Sequence, residues 1–115
     1  MPRRQQPEIV ALYPEQAVEA VPDGELVIVL RPRYMRGPLA WWLQPRLRNP
    51  YFKVHLDELG SFVWRCCDGR RSVAGIAEAM DAAFENQEQV LQRVIYFVRE
   101  LERGKMIRLL EQPRD

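Results

Sequence analysis

The stretch that decides the fold covers residues 56–76 and reads LDELGSFVWRCCDGRRSVAGI. Asp57 and Ser72 are residue types that cap helix N-termini, and each precedes apolar residues spaced three and four positions apart. Between these two runs, Asp68-Gly69 is typical of a helix stop. The stretch therefore predicts two short helices joined by a tight turn.

Further elements are predicted on both sides of this stretch. Apolar periodicity predicts a third helix over about residues 87–103, with Gly104 as its C′ residue and a short extended tail over 106–110. Upstream, β-branched runs predict a hairpin of residues 17–21 and 25–30 around Pro22-Asp23-Gly24. Residues 51–56 alternate between two faces and predict a third strand.

The predicted order gives an α+β fold, a three-stranded antiparallel sheet followed by a three-helix bundle of winged-helix type. A chain of 115 residues has material for one domain. We expect this domain to span residues 16–112, with an inserted segment at about 31–50. Residues 1–15 contain three prolines and no periodicity, so they are predicted to be a flexible arm.

Composition excludes several classes of protein. No stretch approaches the roughly 20 apolar residues of a membrane span, and the N-terminus lacks the apolar run of a secretory signal, so the cytoplasm is expected. The adjacent Cys66 and Cys67 predict reduced thiols, one buried and one nearer the surface, and His55 has no cluster of ligands to join. We therefore expect no metal, no cofactor and no catalytic activity.

Residues 56–76 resemble the PqqD family. The family pattern has a Leu-Asp/Asn pair, a Gly three residues after the acid, a Val/Ile-Trp/Leu pair, an Asp-Gly, a Ser/Thr-Val and an Ile. The likeness extends over about residues 52–107. The counterparts in this sequence are Leu56-Asp57, Gly60, Val63-Trp64, Asp68-Gly69, Ser72-Val73 and Ile76.

The resemblance implies a non-catalytic peptide-recognition module used in making ribosomally synthesised, post-translationally modified peptides. In such modules, the leader segment of a precursor peptide adds as a strand beside the third strand and rests against the third helix. The modifying enzyme that receives the peptide is often a radical-SAM protein. Because a typical member links its second and third strands briefly and this chain has an insert there, the resemblance implies no particular pathway.

The candidate peptide-binding residues lie on the third strand and the third helix. Alternation alone fits an edge strand as well as a strand paired on both sides. The apolar sector of the third helix is wider than the stripe that one core contact needs, so the insert, a bound leader or a second copy in a homodimer could cover the surplus. The candidates are Phe52, Lys53, Val54, His55, Leu91, Arg93, Val94, Ile95 and Val98.

A second candidate surface, for a partner protein, lies in the insert. Adjacent Trp41 and Trp42 cannot both pack on one side of a helix, so one indole is expected to be exposed, flanked by Arg46 and Arg48. From Arg31 to Lys53 there are six basic residues and no acidic one.

This basic segment is also compatible with two other functions, both of which involve an anionic partner. A winged-helix nucleic-acid-binding protein is the main alternative, although the second helix carries carboxylates and no basic residue after Arg71, which would repel phosphates. Association of the Trp-containing segment with anionic lipid is the other.

Overall fold

The structure is a computed structural model that describes residues 8–32, 51–85 and 87–115. It confirms the predicted α+β class, with a three-stranded antiparallel sheet and three helices, and adds a two-stranded sheet. The insert residues Trp41, Trp42, Arg46 and Arg48 lie outside the described residues. The elements in chain order are a 3-10 turn (Ile9–Ala11), β1 (Tyr13–Gln16), β2 (Ala20–Asp23), β3 (Leu26–Pro32), β4 (Tyr51–Leu56), α1 (Glu58–Cys66), α2 (Val73–Ala83), α3 (Val90–Arg103) and β5 (Ile107–Leu110).

The three-stranded sheet has the strand order β2-β3-β4. Its hairpin turns at Gly24 and Glu25, with Gly24 at a φ of 64°, a left-handed conformation that glycine adopts readily. The sequence placed the turn at Pro22-Asp23-Gly24 and the first strand at 17–21, so the strand begins later than predicted. Pro22 is tolerated inside β2 because it stands at an edge position where no N–H is needed for pairing.

The N-terminal segment departs from the prediction of a flexible arm over residues 1–15. Within the described part, β1 pairs antiparallel with β5, with Pro14 opposite Leu109. The Gln16 N–H also donates to Cys67 O at 3.0 Å, which joins β1 to the end of α1. The partners of β1 are more than fifty residues away along the chain, and local periodicity carries no signal for such pairing. Residues 1–7 lie outside the described residues.

The hydrophobic core lies between the inner face of the three-stranded sheet and the helices. The two predicted N-caps are confirmed, since Asp57 Oδ1 accepts from Gly60 N at 2.8 Å and Ser72 Oγ accepts from Gly75 N at 3.1 Å. These caps fix where α1 and α2 begin. The fully buried side chains at the centre are Val29, Val63, Val73, Ile76, Met80, Val94 and Val98.

The two ends of α3 differ from the prediction. The helix begins at Val90 rather than 87, after Gln89 in a left-handed conformation. At its C-terminus, Met106 N–H donates to Leu101 O and Lys105 N–H to Glu102 O, both at 2.9 Å, which is a Schellman motif. Its left-handed C′ residue is Lys105, with φ 60°, and not Gly104, whose φ is −80°. The sequence prediction of Gly104 at C′ was therefore wrong by one position, because a residue with a Cβ occupies the left-handed position that usually favours glycine.

None of the helices in the described part of the chain is both long enough and apolar enough to cross a membrane.

Candidate peptide-binding site

The candidate site is built on β4, which lies at one margin of the three-stranded sheet. On one side β4 pairs with β3 along its whole length, from Tyr51 opposite Pro32 to Leu56 opposite Val27. On the other side, no strand among the described residues pairs with it. The sequence left open whether β4 is an edge strand or is paired on both sides. Among the described residues, β4 is an edge strand.

The hydrogen-bonding pattern identifies which main-chain groups of β4 face this margin. In β3, Leu30 N–H donates to Glu19 O at 2.9 Å, so the main-chain groups of Leu30 point toward β2. Lys53 is the β4 partner of Leu30, and in an antiparallel ladder it therefore directs its own N–H and C=O away from β3. Because this direction alternates along a strand, Tyr51 and His55 do the same.

The opposite margin of the sheet, formed by β2, is a poorer template for strand pairing. Since Glu19 pairs with Leu30, the outward-directed residues of β2 are Ala20 and Pro22. Pro22 has no N–H to offer, and β2 is four residues long, against six in β4. Proline and short length are two devices by which proteins protect sheet edges. The margin of β4 has neither.

A cavity lies next to the C-terminal end of β4, between α1 and α3. The close approach of these helices depends on Gly60, because a Cβ there would lie 3.2 Å from Phe97 Cε1 and 3.4 Å from Leu56 Cβ. The Phe97 ring is in turn in edge-to-face contact with Tyr96, with ring centroids 6.0 Å apart. The cavity has a volume of about 330 Å³ and is lined by Asp57, Leu59, Gln92, Arg93, Tyr96 and Phe97.

The four candidates on β4 lie on two faces of the strand. Phe52 and Val54 are on the inner face, where Val54 packs against the core and Phe52 is 47% exposed. The Arg31 guanidinium lies 5.9 Å from the centroid of the Phe52 ring, and Arg31 Nε donates to Gly104 O at 2.9 Å. Lys53 and His55 are exposed on the outer face.

The five candidates on α3 are divided between surface and core. Leu91 is 38% exposed, Arg93 is exposed and donates to Gln87 Oε1 at 3.0 Å, and Ile95 is half-buried. Val94 and Val98 are fully buried. These two valines therefore belong to the core and are removed from the candidate binding surface. Periodicity showed a wide apolar sector on this helix without showing which part of it faces inward.

Sequence reasoning also missed residues that line the cavity, chiefly Gln92 and Tyr96. Tyr96 is 64% exposed, the highest exposure among the large apolar and aromatic side chains of the described residues. Gln92 and Tyr96 are four residues apart and so lie on one face of α3. The sequence did contain a signal for this surface. Tyr96 is an aromatic residue four positions from the polar Gln92, so it lies on the polar side of the helix.

The two cysteines are free thiols and both are buried, Cys66 at 8% exposure and Cys67 at 1%. Burial raises the pKa of the Cys67 thiol to about 12, with smaller contributions from Cys66 and Asp68, and burial also raises the pKa of Cys66. Raised values disfavour the reactive thiolate. The sequence placed one thiol nearer the surface, but both are buried: β1 is hydrogen-bonded to Cys67 at the end of α1, and the Arg71 guanidinium donates to Cys66 Sγ at 3.4 Å. Among the described residues, no group of three His, Cys, Asp or Glu side chains is arranged to hold a metal ion.

Comparison with protein families matches residues 8–107 to the family described as Coenzyme PQQ synthesis protein D (PqqD). The match covers most of the chain and reaches from the residues before β1 into β5. No curated protein and no solved structure matches the chain. Members of this family are non-catalytic accessory proteins of PQQ and related peptide biosynthesis, where they bind a precursor peptide and a partner enzyme. As the pattern in residues 56–76 indicated, the chain belongs to the PqqD family.

Proposed function

We propose that this chain is a non-catalytic adaptor that captures the leader segment of a precursor peptide by strand addition at β4 and presents it to a modifying enzyme. The observation that carries the proposal is the margin of β4. Tyr51, Lys53 and His55 direct their main-chain groups away from β3, with no strand among the described residues opposite them. An added strand gains main-chain hydrogen bonds there, each worth roughly 1 kcal/mol net.

Specificity would come from side chains rather than from the main chain, which every peptide shares. The inner face of an added strand would lie beside Phe52 and, past the end of β4, would approach the cavity that Asp57 lines. An apolar leader side chain buried in this cavity would contribute roughly 1.5–3 kcal/mol. The aromatic rings of Tyr96 and Phe97 make it suited to such a side chain.

Presentation to an enzyme requires a second surface that stays accessible when the leader is bound. Trp41, Trp42, Arg46 and Arg48 remain the predicted partner surface, and they lie outside the described residues. We propose that the partner is a peptide-modifying enzyme, with a radical-SAM protein as the expected class. Co-purification of the chain with such an enzyme, with and without leader peptide, tests this part of the proposal.

Nucleic-acid binding, the alternative function, is not favoured by the exposed surface of α2. In a winged helix the second helix enters the major groove, and here it exposes Glu78 and Asp81. It contains no basic residue. An electrophoretic shift assay on mixed DNA at low salt tests this alternative, and tight, salt-sensitive binding would support it.

A proline substitution tests strand addition directly. In His55→Pro, the lost N–H faces the open margin, so the β3–β4 ladder stays intact while an added strand loses a donor and meets the proline ring. The probes are synthetic peptides with the sequences of any short reading frames that neighbour the gene, each titrated by calorimetry. We expect binding at least about tenfold weaker with an unchanged urea midpoint.

The matched control is Ala20→Pro, which makes the same change at an outward-directed position of the β2 margin. We expect Ala20→Pro to bind the leader like the wild type. A folded His55→Pro variant that binds normally, or equal weakening by both substitutions, would contradict strand addition at β4.

A further inference from the structure

We infer that the segment bound at β4 carries an acidic residue opposite Lys53, within a pattern that alternates acidic or polar residues with apolar ones. The inference rests on the proposed strand addition and specifies the chemistry of the peptide that β4 selects.

Alternation follows from the geometry of the sheet. Residues opposite each other on paired strands place their side chains on the same face. A residue opposite Lys53 therefore lies on the exposed outer face, whereas the residues opposite Phe52 and Val54 lie on the inner face, near the core. The two faces of the bound segment thus meet different surroundings: the position opposite Lys53 is beside an exposed charge, and the inner-face positions are beside apolar side chains.

The charge of the outer-face residue follows from Lys53 itself. Lys53 is exposed and makes no ion pair with any residue in the described part of the chain. Its neighbours along the chain add no negative charge, since no acidic residue occurs between Arg31 and Lys53. A carboxylate opposite Lys53 would form a cross-strand ion pair without displacing an existing partner.

Charge also changes sign along the margin, which fixes the register of the peptide. Beyond the end of β4 come Asp57 and Glu58, both exposed. An acidic residue of the peptide would be attracted at the Lys53 position and repelled when shifted four positions toward Asp57. The acidic residue is therefore expected near the middle of β4.

A second copy of the chain fits this margin less well than an acidic peptide does. If two β4 strands paired antiparallel about Lys53, the two lysines would stand directly opposite each other, and like charges at such positions are destabilising. Pairing about Val54 would place Lys53 opposite the second copy's His55, which offers no carboxylate. Pairing about His55 would place Lys53 opposite the second copy's Asp57, which lies beyond the end of β4 and whose carboxylate already caps α1. Lysine on an edge strand is a known protection against self-pairing.

Selection from a displayed library tests the inference. The probe is a set of ten-residue segments that alternate valine or leucine with fully varied positions, selected on the immobilised full chain. We expect Asp and Glu to be enriched at one varied position. In a selected peptide, changing this residue to Gln should weaken binding about two- to fivefold, and the difference should shrink at about 0.5 M salt.

Charge reversal assigns the effect to Lys53. We expect Lys53→Glu to prefer the peptide in which the acidic residue is replaced by Lys. The matched control is Lys105→Glu, which changes the other lysine of the chain and should leave the preference unchanged.

Different results of these binding experiments would contradict the acidic preference and strand addition at β4. Peptides that bind wild type and fail to bind His55→Pro, but show no acidic preference, would overturn the inference and leave strand addition standing. If no peptide is selected, both are overturned. A dimer in sedimentation that is lost in His55→Pro would show a second copy at β4 and overturn the inference.

Discussion

The hydroxyl of Ser61 accepts a hydrogen bond from the Val27 N–H, with the two atoms 3.0 Å apart. The same oxygen lies 3.3 Å from Leu56 O, to which it donates. Val27 and Leu56 are opposite each other in the β3–β4 register, so Ser61 bridges the last pair of this ladder. The fully buried Ser61 belongs to α1 and thus fixes the end of β4, and with it the candidate site, to the helical layer.

Ser61→Ala is expected to lower the free energy of unfolding by about 1–3 kcal/mol, because a buried N–H and a buried C=O lose their partner. Urea denaturation measures this. Ser72→Ala is the control, because it removes the N-cap hydrogen bond of α2, 3.1 Å from Gly75 N to Ser72 Oγ, which is not connected to β4. This substitution should lower the free energy of unfolding by about 1 kcal/mol. Under conditions where both variants are folded, only Ser61→Ala should weaken leader binding. Equal binding by the two variants would contradict the role of Ser61 in positioning β4.

Local signals in the sequence predicted much of the fold. The caps at Asp57 and Ser72 were identified because Asp and Ser at those positions accept hydrogen bonds within one helical turn. The bounds of β4 were predicted as observed, because strict alternation between two faces ends where the helix cap begins. Each of these features is encoded within a few residues.

Features that depend on distant parts of the chain were not predictable in this way. β1 is hydrogen-bonded to the α1–α2 turn and also pairs with β5, and both partners are far away along the chain, so the sequence around Pro14 alone indicated an arm. The division of α3 into a buried side with Val94 and an exposed side with Tyr96 depends on what packs against the helix. Periodicity identifies an apolar sector, and tertiary contacts decide how much of it is covered.

The left-handed C′ position of α3 provides a stability prediction. Lys105 has a φ of 60°, a left-handed conformation that is unfavourable by roughly 1–2 kcal/mol for a residue with a Cβ. Glycine avoids this penalty, but it also gains conformational entropy in the unfolded chain, which offsets part of the benefit. Lys105→Gly should therefore stabilise the protein by about 1 kcal/mol in urea denaturation. Lys105→Ala, which keeps the Cβ, is the control and should not stabilise. If alanine and glycine stabilise equally, the side chain of Lys105 and not its backbone is responsible.

The buried thiol of Cys67 predicts a loss of stability in alkali. Its pKa of about 12 in the folded protein exceeds the ordinary value of 9.0, so above pH 9 the unfolded chain loses this proton and the folded protein keeps it. Stability from this group is therefore fully present well below pH 9 and falls as pH rises toward 12, by about 1 kcal/mol between pH 9 and 10.

Urea denaturation at pH 8, 9 and 10 of the wild type and Cys67→Ala measures this effect. Other groups also titrate in this range, so the test is the difference between the two proteins, which should narrow as the pH rises. In the folded wild type, alkylation of Cys67 should be far slower than in urea. A difference in stability that stays constant with pH would contradict the raised pKa.

Tyr96 provides the sharpest distinction between the candidate site and the core. The side chain is 64% exposed and lines the cavity between α1 and α3. Tyr96→Ala should change the free energy of unfolding by less than about 0.5 kcal/mol, as is usual for exposed positions. If a leader side chain enters this cavity, the same substitution should weaken leader binding about tenfold, since it removes an aromatic contact.

The contrasting variant is Val98→Ala, two positions along the same helix. Val98 is fully buried, so its truncation should lower the free energy of unfolding by about 2 kcal/mol. Because Val98 does not reach the surface, leader binding by the folded variant should stay within about twofold of wild type, measured by calorimetry below its unfolding transition. A Tyr96→Ala variant that binds normally would show that the leader lies elsewhere on β4. Weakened binding by folded Val98→Ala would instead show that α3 opens when the peptide binds.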